Sequence, residues 1–83
     1  MPPRHQTPVA LFVALTRAVR EAAVQDDVRI QAYDVIDSMA RLVGQPNFRL
    51  ELDALVALAS RHSRIHSALQ PFWDDLYSLA PEP

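Results

Sequence analysis

A single glycine, Gly44, stands among 83 residues, and no Asn-Gly or Asp-Gly pair occurs anywhere in the chain. Tight hairpins rely on residues that tolerate positive φ, so a meander of strands has almost nothing to turn on here. Proline supplies the punctuation instead. Pro8, Pro46 and Pro71 fall between stretches whose apolar residues recur at helical spacing. The pattern predicts an all-α fold: a small up-down helical bundle of three main helices plus a short C-terminal helix, in one domain spanning 7–80. Residues 1–6 carry Pro2 and Pro3 and no periodicity, which reads as a disordered lead, and 81–83 read as a matching tail.

A chain of this length buries only roughly 60% of the surface its unfolded form exposes, so one core gives modest stability. Cysteine is absent, which removes disulfides as a reinforcement and removes thiolate chemistry as a function. Pairing with a second copy is the remaining common device, and a homodimer is expected. The net charge is −2, and all eight basic side chains are arginine. The arginine bias fits codon usage in a GC-rich bacterial genome, and the near-balanced charge gives no expectation of a nucleic-acid partner. The longest apolar run, Val9 to Leu15, falls far short of the roughly 20 residues of a membrane span. Arg4 and His5 before it faintly imitate a secretion signal, but the amphipathic pattern continues past any cleavage point. Cytoplasmic residence without a membrane partner is the expectation.

Thr7 and Pro8 form an N-cap and first-position pair, opening a helix that should run to about Val24 with Leu11, Phe12, Leu15, Val19 and Ala22 inward. Asp26 or Asp27 can cap the second helix, whose stripe is Val28, Ala32, Val35, Ile36, Met39, Leu42 and Val43. The two stripes do not join in phase, so a break is expected at Gln25 to Asp27 rather than one continuous helix. Gly44 suits a C′ position and Pro46 a stop. Asn47 or Asp53 then caps a third helix that ends near Leu69, and Pro71 opens the fourth, with Trp73 and Leu76 among its apolar residues.

Few residues point to chemistry. His62 and His66 are spaced for one helix face, as two imidazoles sharing a metal would be, but the position after His62 is Ser63 rather than glutamate and no ligand set completes the site. On a continuous helix both would lie on the apolar side, as core-rim residues or as part of a partner-binding face. Val9, Val13 and Val24 form a second apolar line on the first helix beside Arg17 and Arg20, a composition suited to an interface edge. Arg61 and Arg64 could join Arg17 and Arg20 in a phosphate-binding patch. Trp73 could anchor the core or a partner. No catalytic constellation and no phosphate-cradling loop is visible, so no cofactor is expected.

The resulting expectation is a small non-enzymatic protein–protein interaction protein, an adaptor, regulator or chaperone, whose partner-binding residues are Val9, Val13, Arg17, Arg20, His62, His66 and Trp73. The rival expectations are a nucleic-acid-binding regulator using the four arginines and a metal-binding protein using His62 and His66.

Overall fold

The computed structural model describes residues 7–80, so the lead and tail lie outside the described residues. The first helix, α1, spans Pro8–Glu21. Thr7 is its N-cap, and the Thr7 Oγ1 accepts the Ala10 N–H at 3.1 Å, satisfying one of the donors that a helix start leaves open. The helix stops short of the expected Val24, because Ala22 turns to extended geometry, and Val24 is partly buried against the core rather than in line with Val9 and Val13. The second helix, α2, spans Asp26–Arg41 after a short connection, which makes the pair an antiparallel hairpin.

Gln25, not Asp26 or Asp27, occupies the N-cap of α2. Both aspartates stand in the first turn, where their charge complements the helix dipole. Asp27 accepts the Val28 N–H at 2.9 Å, while Asp26 pairs with Arg29 at 2.8 Å. Arg29 explains why the break falls where it does. Its guanidinium reaches back to donate to the Ala22 carbonyl at 2.9 Å, which also accepts the Val24 N–H, and to the Val24 carbonyl at 3.3 Å. With only 24% of its side chain exposed, Arg29 fastens the α1–α2 connection. Charge-assisted bonds of this kind contribute about 1.5–3 kcal/mol. Arg29→Met, which keeps the aliphatic stem, is expected to lower unfolding stability by about that amount in urea titration; a loss below about 0.5 kcal/mol, the range of an ordinary surface change, would show the clamp to be incidental.

Leu42 is the C-cap of α2, so Gly44 lies one residue beyond the expected C′ position. It serves a turn rather than the cap. The Gln45 N–H donates to the Leu42 carbonyl at 2.8 Å, and Gly44, third of the four residues, has φ +83°. Positive φ at that place is the demand of a type II turn, and a side chain there would be strained although open space surrounds it.

The third helix, α3, spans Phe48–Arg61 with Asn47 at its N-cap, and Asp53 lies inside it, paired with Arg49 at 3.3 Å. It does not continue to Leu69. His62 adopts extended geometry (φ −134°, ψ 97°), and α4, Ser63–Leu69, starts immediately after it. Ser60 donates its hydroxyl to the Val56 carbonyl at 2.9 Å, a local bond that competes with the main-chain ladder in the last turn of α3. Together α3 and α4 are the third helix of the bundle, bent at His62. A 3₁₀ turn, Gln70–Phe72, carries Pro71, and α5 follows as Trp73–Leu79.

Each main helix inserts its predicted stripe into one core. Leu11, Phe12, Leu15 and Val19 of α1 meet Val28, Ala32, Ile36 and Met39 of α2, with Val35, Leu42 and Val43 partly buried against them. Phe48, Leu52, Leu55, Leu58 and Ala59 come from α3, Ile65 and Leu69 from α4, and Leu76 from α5. Among the described residues no polar or charged side chain is buried. The packed pairs α1 with α2, α2 with α3, α3 with α4, and α4 with α1 close a ring around this core. No helix among the described residues is long and apolar enough to cross a membrane.

Candidate partner-binding groove

The ring leaves an outer side to each helix pair, and on the α1–α2 side the surface is apolar. Five large hydrophobic side chains are exposed among the described residues: Val9, Val13, Ile30, Leu50 and Tyr77. Val9 and Val13 belong to α1 and Ile30 to α2, with exposures of 73%, 57% and 57%. Single exposed apolar residues are ordinary, but a cluster on one side is not.

Between α1 and α2 runs a groove of about 640 Å³. The α1 wall is Pro8, Val9, Phe12, Val13, Thr16, Arg17 and Arg20; the α2 wall is Tyr33, Ile36, Asp37 and Ala40. Helical geometry accounts for both. Val9, Val13, Arg17 and Arg20 follow one another at spacings of four, four and three on the flank of α1, beside the buried stripe. Tyr33, Asp37 and Ala40 repeat the pattern on α2, and Ile30, exposed nearer the connection, stands outside the groove's lining. The Thr16 hydroxyl is turned away from the groove's chemistry, donating to the Phe12 carbonyl at 2.9 Å.

The electrostatics are asymmetric. The ion pairs among the described residues include Arg29 with Asp26, Arg41 with Asp37 at 3.0 Å, and Arg49 with Asp53; Arg17 and Arg20 join none of these. The α1 flank is therefore apolar at its N-terminal half and basic at its C-terminal half. The exposed side of α2 carries Asp34 and Asp37.

Four of the seven expected partner-binding residues, Val9, Val13, Arg17 and Arg20, thus share one groove, and the other three do not join it. His62 lines a second, smaller depression of about 410 Å³ with Arg61, Arg64 and residues of the α1–α2 connection. His66 is exposed, its ring centroid 6.3 Å from that of Trp73 in a tilted arrangement, and Trp73 is half-buried against the core. The His62 carbonyl still accepts the His66 N–H at 3.1 Å across the bend, so the two residues stay one turn apart, with His62 at the second depression and His66 beside Trp73. No cluster of three or more metal-ligating side chains is assembled among the described residues. The four arginines are likewise divided, Arg17 and Arg20 on the groove and Arg61 and Arg64 on the second depression.

The α2 wall was not legible as a surface feature, although Tyr33, outside the Val28–Met39 stripe, carried the signal. Comparison with protein-family models, curated proteins and solved structures yields no match.

Proposed function

We propose that the protein is a small, non-enzymatic, cytoplasmic interaction protein, an adaptor or regulator in type, that presents its α1–α2 face to a protein partner. The observation that carries this reading is the apolar groove of Val9, Phe12, Val13, Tyr33 and Ile36, bounded by Arg17, Arg20 and Asp37. An apolar centre with arginine and aromatic residues and a charged edge is the composition of protein interfaces. The groove runs along α1 from Pro8 to Arg20 against the second half of α2, an elongated shape that suits a helix better than a small molecule.

A photoreactive phenylalanine analogue placed at Val13 tests this in the living source cell. Covalent protein adducts are expected from position 13 and not from Ala57, an exposed position on α3. Equal labelling from both positions, or none from 13, would count against the face.

A further inference from the structure

Resting on the reading of the α1–α2 face as protein-binding, we infer that its occupant is an amphipathic helix of a different protein, apolar at one end of the contact and acidic at the other.

The groove is polarised along its length. Because α1 and α2 are antiparallel, the half of α1 that carries Val9, Phe12 and Val13 lies beside Ile36, Asp37 and Ala40 of α2. Arg17 and Arg20, later on α1, line the end nearer the connection, where Tyr33 is the first contributing residue of α2. Both arginines are exposed, and among the described residues neither has an ion pair or a hydrogen bond. The acidic residue of the lining, Asp37, belongs to the apolar end and is paired with Arg41 at 3.0 Å. Glu21 and Asp34 stand outside the lining. The groove therefore offers an apolar bed at one end and two unpaired cations at the other.

Helical rise sets the spacing of the occupant. At 1.5 Å per residue, Val9 to Val13 is about 6 Å along α1, and Val13 to Arg20 is about 10 Å. A helix laid in the groove seats apolar residues, three and four apart, on Val9, Phe12 and Val13. Its acidic residues then fall about one to two turns further on, against Arg17 and Arg20. There a carboxylate meets a guanidinium fork that can take it bidentately; at the opposite end it would meet Asp37. Charge thus selects which way round the helix lies, while apolar burial supplies the affinity. Two arginines on a chain of net charge −2 give little hold on nucleic acid or an anionic membrane, both of which reward many cations together.

Crosslinking from position 13 in the source cell, followed by sequencing of the attached peptide, identifies the occupant. The peptide is expected to come from another protein and to carry apolar residues at this spacing, with Asp or Glu about one to two turns beyond them. The captured segment is then synthesised and titrated against the purified full chain by fluorescence anisotropy. Arg17→Glu with Arg20→Glu is expected to raise the dissociation constant about tenfold or more, and Arg17→Gln with Arg20→Gln by less. The segment with its acidic residues changed to lysine is expected to reverse the order, binding the Glu variant more tightly than wild type. Both arginines lie outside the core, and circular dichroism checks that the variants keep wild-type helical content. A captured segment without carboxylates at that end, or a Glu variant within about twofold of wild type, overturns the acidic helix and leaves the face standing. Adducts confined to a second copy of this chain overturn the separate partner and make the face a homodimer contact. Absence of adducts from position 13 removes the face itself.

Discussion

Phe48→Ala is expected to remove about 3–5 kcal/mol of unfolding stability, the range measured when a buried aromatic ring is cut back to a methyl group. Phe48 is the largest fully buried side chain, and it enters the core as the first residue of α3. A domain of this size has about 4–12 kcal/mol in total, so the loss consumes a large part of it. The turn before it fixes where the ring enters, with the Phe48 N–H donating to the Gln45 carbonyl at 3.1 Å. Phe48→Leu keeps most of the volume and is expected to cost far less, about 1.5 kcal/mol or under. Urea titration of the two variants beside wild type measures both; a Phe48→Ala loss under about 1 kcal/mol would mean that the helix start is not held by the ring.

The second large effect is on association. Val13→Asp places a carboxylate at the centre of the apolar line, where a partner surface would have to bury it. If the proposed face is also the homodimer contact, the dimer's dissociation constant is expected to rise by at least about 30-fold, the equivalent of a binding hot spot of about 2 kcal/mol. Val13 is 57% exposed, so helical content is expected to stay at the wild-type value. Leu50, 67% exposed on α3, supplies the control: Leu50→Asp changes apolar exposure in the same way but is expected to leave association unaltered. Equal loss from both substitutions would mean that apolar exposure in general, rather than this face, drives pairing.

The bundle was legible because each main helix spends its large apolar residues at one period. Leu11, Phe12, Leu15 and Val19, or Leu52, Leu55, Leu58 and Ala59, announce both the helix and its buried side. What periodicity cannot announce is an interruption that preserves phase. Leu55, Leu58, Ala59, Ile65 and Leu69 fit one unbroken helix and also fit two helices joined at His62, because both place all five residues inward. The distinction rests on one extended residue, His62, which no feature of the apolar pattern marks.

Arg29 was hidden for a related reason. Read alone it is a polar residue beside the buried stripe of α2; only the closed hairpin brings the Ala22 and Val24 carbonyls within its reach. The groove was half visible. Val9 and Val13 stood out on α1 because the sequence already filled a different stripe with larger residues. The opposing wall depended on the hairpin register, which sets Tyr33, Asp37 and Ala40 across from them. The grouping of His62 with His66 assumed one unbroken helix, whereas His62 is the bend itself and His66 lies in the helix after it.

The most direct measurement on the binding face is a concentration series of backbone amide chemical shifts, followed from about 10 µM to about 1 mM, a span that brackets micromolar association. If the α1–α2 face pairs with a second copy, amides along Val9–Arg20 and Ile30–Ala40 shift together with one dissociation constant, while those around Leu50 and Tyr77 stay fixed. Shifts confined to α3 and α5, or a spectrum that does not change across the series, would contradict it.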